Sequence, residues 1–195
     1  MIADPVQVAL LVAAALEDCG IEYVVGGSLA SSMSGEPRST LDVDLVIALQ
    51  EHQVARLTES LGDAFHVDAD SLRRAVRSRT SANLIHYESS TKVDLFIAGG
   101  SPVDEQQLQR RQRVLVASDP DRHLFVYTPE DILLQKLRWY RLGGEQSDRQ
   151  WRDILGIVRV QGGALDRQYV ECTAASLELE DLAERALALR ERRDS

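Results

Sequence analysis

In the run Leu41-Asp42-Val43-Asp44-Leu45, acids alternate with aliphatic residues inside a segment that stays apolar to Leu49. Alternation at period two is the mark of a β-strand, and on a strand Asp42 and Asp44 share one face, roughly 6.5–7 Å apart along the chain. A third acid sits inside a second apolar run, Val93-Asp94-Leu95-Phe96. If the two strands are sheet neighbours, three carboxylates converge. Like charges held so closely repel each other, so the arrangement calls for a neutralising cation. Taken alone, an Asp-x-Asp strand is also what an ordinary sheet with one solvated face looks like.

Upstream lies Val25-Gly26-Gly27-Ser28, a Gly-rich turn between a β-prone run and a short helical stretch, Ser28 to Ser34. Such a turn lets backbone N–H groups approach an anion, and a helix N-terminus behind it favours negative charge. A tight turn explains Gly-Gly equally well by itself. Together the two features read as a phosphate cradle followed by acids able to hold metal against that phosphate. Oxygen-only ligands favour Mg2+ or Mn2+. Two such ions about 3.5–4 Å apart would clamp both sides of a phosphoryl-type displacement.

The rest of the chain reads as α/β. Asp4-Pro5-Val6-Gln7 opens a helix that Gly20 suits as an end, and Ile21 to Val25 is a short strand. His52 to Leu61 is helical in pattern. Ala82 to Tyr87 and Lys92 to Ala98 form a hairpin across Glu88-Ser89-Ser90-Thr91, and Val114 to Ala117 and Leu124 to Tyr127 are further short strands. At Thr128-Pro129-Glu130-Asp131 a capping-box-like start changes the character, and three or four helices follow. The expected division is a core over residues 1–128 and a helical segment over 129–195 packed on it.

Composition narrows the class. With 44% hydrophobic residues in 195, the chain can bury a sizeable core. Cys19 and Cys172 make no disulfide framework and no metal spacing, which suits a reducing cytoplasm. The apolar stretch Val6 to Leu16 is too short to span a membrane. The formal charge of −9 is unevenly spread: residues 1–70 carry 2 basic and 12 acidic side chains, residues 71–113 carry 8 and 4. That basic middle (Arg73, Arg74, Arg77, Arg79, Arg110, Arg111, Arg113) suits either RNA or polyphosphate steering or a solvated helix face. His52, His66, His86 and His123 show no metal spacing, and Ser28 lacks the Gly-x-Ser-x-Gly elbow of a hydrolytic nucleophile.

The order hydrophobic–Gly-Gly-Ser, thirteen intervening residues, Asp42-Val43-Asp44-Leu45 and a later Asp94 resembles the nucleotidyltransferase superfamily typified by DNA polymerase β. The fuller stretch, Gly-Gly-Ser-Leu-Ala with Arg38-Ser39-Thr40-Leu41-Asp42, looks like the AbiEii/MenT toxin-related branch of minimal nucleotidyltransferases. Lys136-Leu137 on a helix and Asp153 in Trp151-Arg152-Asp153-Ile154-Leu155 match that branch's later positions.

The resemblance implies a minimal nucleotidyltransferase core, a mixed sheet flanked by helices. It also implies transfer of an NMP from an NTP to an acceptor, with release of pyrophosphate. Asp42, Asp44 and Asp94 would bind Mg2+ or Mn2+, and Asp94 would accept the proton of the attacking hydroxyl. Gly26, Gly27, Ser28, Arg38 and Thr40 would line the nucleotide, with Lys136 at its phosphates. Asp153 would help hold the site together through a pair with Lys136 or with Arg38. The acceptor would be tRNA, a protein or a small hydroxylated molecule such as an aminoglycoside or lincosamide antibiotic. A cognate antitoxin is a partner the branch implies, and a non-catalytic nucleotide- or partner-binding protein on the same scaffold is the competing class. Lys92, the second of only two lysines, gains no role beyond preceding Asp94 on a strand.

Overall fold

Among the described residues seven strands form one mixed sheet, in the spatial order Phe65–His66, Ser81–His86, Lys92–Ile97, Val43–Ile47, Tyr23–Val25, Arg122–Val126 and Gln112–Ala117. The computed structural model describes residues 4–37 and 39–191. Its described residues divide into two units, 4–29 with 39–126, and 30–37 with 127–191.

The first unit holds the whole sheet: β1 (Tyr23–Val25), β2 (Val43–Ile47), β3 (Phe65–His66), β4 (Ser81–His86), β5 (Lys92–Ile97), β6 (Gln112–Ala117) and β7 (Arg122–Val126). Pairing is parallel for β1 with β7 and β2 with β5, and antiparallel elsewhere. Helix α1 (Pro5–Asp18) begins as its sequence dictates: the Asp4 carboxylate accepts from the Val6 amide at 3.0 Å, with Pro5 in the first turn. Its buried residues Val8, Ala9, Val12, Ala13 and Leu16 recur at helical spacing, and the helix lies against β1, β2 and β7. Each fully buried aliphatic side chain in such a stripe contributes about 1.5–3 kcal/mol.

Along β2, β4 and β5 burial follows the period of two. Val43, Leu45, Ile47, Ala82, Leu84, Val93 and Leu95 are buried, whereas Asp44, Asn83 and Asp94, at alternate positions, stay at least partly accessible. The acids therefore occupy the more open face of the sheet.

Two helices of this unit go beyond the sequence expectation. Between β3 and β4 runs α4 (Ala69–Ser78), preceded by α3 (Val54–Leu61); α5 (Pro102–Arg110) follows β5. Both unexpected helices had legible starts. The Asp68 side chain caps α4 and the Ser101 side chain caps α5, with Pro102 in its first turn, the same Ser/Thr-Pro device seen at Thr128-Pro129.

The second unit is helical: α2 (Gly27–Ser34) enters it at Ala30, and α6 (Pro129–Leu142), α7 (Asp148–Gln161), α8 (Arg167–Ser176) and α9 (Glu180–Glu191) complete it. Thr128 caps α6, and its hydroxyl donates to the fully buried Asp131 carboxylate at 2.9 Å; the Tyr169 hydroxyl of α8 donates to the same group at 2.6 Å. These bonds satisfy a carboxylate that burial would otherwise penalise heavily. The segment after α2 meets α7 without room for side chains: a Cβ on Gly35 would stand 2.9 Å from the Ile157 nitrogen. Among the described residues, no helix is long and apolar enough to cross a membrane.

Candidate active site

The register of the parallel pair β2–β5 sets Asp44 directly across from Asp94. Asn83 of β4 continues the same row on the far side of Asp94. A row of this kind puts side chains of neighbouring strands on one face within reach of each other. Asp42 departs from its expected place. The ladder begins at Val43, so Asp42 lies on the approach to β2, where the Thr40 hydroxyl donates to its carbonyl at 3.3 Å, and Leu41 beside it is exposed. A solvated Leu41 buries nothing, which removes the reason for the strand to start earlier.

The Gly-Gly turn is fastened to the acid strand. The Gly26 amide donates to the Asp44 carbonyl at 2.9 Å. Gly27, the first residue of α2, adopts φ +57°, and a Cβ there would fall 1.8 Å from Asp44 Oδ2. Only glycine fits this contact, on grounds of both backbone conformation and space. The helix N-terminus and the Asp44 carboxylate are thus neighbours, with Ser28 in the first turn of the same helix.

In the second unit the ammonium of Lys136 donates to Asp153 Oδ2 at 2.8 Å, and both side chains are below one-tenth exposed. Of the two pairings open to Asp153, the one with Lys136 is present. Arg38, the other candidate, lies outside the described residues.

A family model for the nucleotidyl transferase AbiEii toxin of type IV toxin–antitoxin systems matches residues 9–194. The chain belongs to this family. Among solved structures it is similar to the antibiotic-resistance factor ANT(2'')-Ia in solution, with 16% identity, TM-score 0.56, and 98% of this chain and 99% of that one covered. The crystal structure of ANT(2'')-Ia with adenylyl-2''-tobramycin gives 13% identity and TM-score 0.51, covering 97% and 98%. At these identities the likeness is one of fold, and the mixed sheet flanked by helices is the nucleotidyltransferase architecture. No curated protein matches the chain by sequence.

In this AbiEii-family chain, sequence reasoning passed over Lys92. Its ammonium donates to Asp94 Oδ2 at 2.9 Å. That hydrogen bond, followed by the charges of Asp94, Asp42 and Asp44, raises the Lys92 pKa above its ordinary value. One cation therefore senses all three carboxylates. The signal was available: residues 92 and 94 are two apart on a strand and must share a face.

The donor set suits a hard divalent ion, being carboxylate oxygen throughout. Among the described residues, however, no group of three or more His, Cys, Asp or Glu is drawn together closely enough to hold one. Asp94 is engaged by Lys92 instead. The basic middle is similarly occupied: Arg73 pairs with Asp70, Arg74 with Asp68, Arg77 with Glu51, and Arg111 with Glu22. These arginines neutralise the unit's own acids along α4 and beside β1.

Proposed function

We propose that this AbiEii-family protein transfers an NMP from an NTP to an acceptor, with Mg2+ or Mn2+ bound by Asp42, Asp44 and Asp94. The observation that carries the reading is the Asp44–Asp94 row with Gly27 pressed against Asp44, which puts oxygen ligands beside a helix N-terminus. A divalent ion held there supplies neutralisation of the triphosphate and of the entering oxygen. Asp94 takes the proton from the acceptor hydroxyl as its oxygen bonds to the α-phosphorus; the bond to the β-phosphate's bridging oxygen breaks and pyrophosphate leaves. Amides at Gly27 and Ser28 receive the terminal phosphates, while Gly26 pins the turn and Thr40 orders the approach to Asp42. Arg38 and Lys136 offset charge growing on the leaving group, with Asp153 fixing the lysine.

The free Cys19 and Cys172 fit a cytoplasmic setting. Membership in a toxin–antitoxin family makes an antitoxin the expected partner and tRNA or a protein the first acceptors to try. A small hydroxylated drug is the further acceptor class, in keeping with the fold shared with ANT(2'')-Ia.

The test is transfer of label from each α-labelled NTP into cell extract with Mg2+. Asp44→Asn should lower product formation by at least about a hundredfold. Equal turnover by wild type and Asp44→Asn would remove catalysis from this site. Metal-dependent NTP binding with no product from any acceptor would mark a nucleotide-binding protein on the same scaffold.

A further inference from the structure

We propose that Lys92 is a resident cation of the acidic face, holding Asp94 in the metal-free protein and competing with a divalent ion for that carboxylate. The inference rests on the metal-binding reading above. Lys92 opens β5 and lies two residues before Asp94, so both project from the same side of the sheet. The ion pair spans 2.9 Å, and on the neighbouring strand Asp44 stands opposite Asp94.

The lysine side chain is 49% exposed while that of Asp94 is 16% exposed. This asymmetry is what a displaceable cation requires. The ammonium on its flexible stem can leave for water at small cost, whereas the carboxylate stays at the site. Asp44 and Asp94, paired across neighbouring strands, repel one another, and until a metal arrives Lys92 relieves that repulsion. A plain surface ion pair would affect stability slightly and nothing else.

Binding of Mn2+ alone to the full chain, followed by the electron paramagnetic resonance signal of free Mn2+, separates the two. Lys92→Met and Lys92→Gln should bind Mn2+ about 1.5- to fivefold tighter than wild type, the range set by the strength of an exposed pair. Lys92→Arg, which keeps a cation in place, should group with wild type. In an Asp94→Asn background, Lys92→Met should change Mn2+ affinity little, because the contested ligand is gone.

Equal affinity of wild type, Lys92→Met and Lys92→Gln would overturn the proposal and leave the metal site intact. The same gain in the Asp94→Asn background would overturn it too, by showing a general effect of removed charge. If neither wild type nor Lys92→Met binds Mn2+, the metal-binding reading falls and takes this inference with it.

Discussion

The only two lysines of the chain each hold an aspartate, at 2.9 Å for Lys92–Asp94 and 2.8 Å for Lys136–Asp153, yet the two pairs are physically different objects. Lys92 stands half in water on the open face of a sheet. Lys136 and Asp153 are shut between α6 and α7 within the helical unit, each side chain under one-tenth exposed. In water the Coulomb gain of a pair is small and easily exchanged for hydration or another ion. Inside a packed helical layer, desolvation is already incurred, and separating the partners leaves each charge buried without the other. Equal geometry therefore implies unequal permanence: one contact can be given up in a working cycle, the other is part of the fold.

The largest effect expected follows directly. Lys136→Met should destabilise the protein by about 3–5 kcal/mol, measured by denaturant unfolding, because it leaves the Asp153 carboxylate buried without that cation. Lys136→Met/Asp153→Leu should recover most of the loss, since replacing both members removes the buried carboxylate along with its cation. A Lys136→Met variant as stable as wild type would erase the contrast between the two pairs.

Asp44 offers a third case, an acid positioned by backbone rather than by a lysine stem. Gly27→Ala forces a side chain into a left-handed conformation and into Asp44 Oδ2. The conformational part alone costs about 1–2 kcal/mol, and the displaced carboxylate should weaken Mn2+ binding in parallel. Loss of stability with unchanged Mn2+ affinity would show that the glycine serves the turn only.

How much of this was legible depends on distance along the chain. The strand around Asp44, the Gly-Gly turn and the caps at Asp4 and Thr128 are local patterns, and each appears as an element close to where expected, with Leu41 and Asp42 left outside the strand. The starts of α4 and α5 were equally local, at the caps Asp68 and Ser101, although the arginines from 73 to 79 suggested no more than a solvated helix face. The Asp44–Asp94 register was not legible: it joins residues 50 positions apart with two strands and two α-helices between them. For the same reason, the Lys136–Asp153 contact, which α6–α7 packing makes, was open in the sequence, where Arg38 was an equal candidate. Lys92 is the opposite failure, a local signal read as composition.

The smallest effect sharpens the contrast most, because it turns on conditions rather than on the residue alone. Lys92→Met should cost only about 0.2–1 kcal/mol of stability at low salt. That difference should shrink as ionic strength rises and the Debye length falls below about 10 Å, whereas the Lys136→Met cost should persist. The Lys92 pKa lies above the ordinary 10.5, mainly through its hydrogen bond to Asp94. A cation whose folded pKa is raised contributes fully below the unfolded value and loses that contribution only as pH climbs through the folded one. The gap between wild type and Lys92→Met should accordingly stay flat from about pH 6 to 9 and close under more alkaline conditions. A gap that instead opened or closed near neutrality would mean that Lys92 is answering to some group other than these carboxylates, and the pairing itself would have to be redrawn.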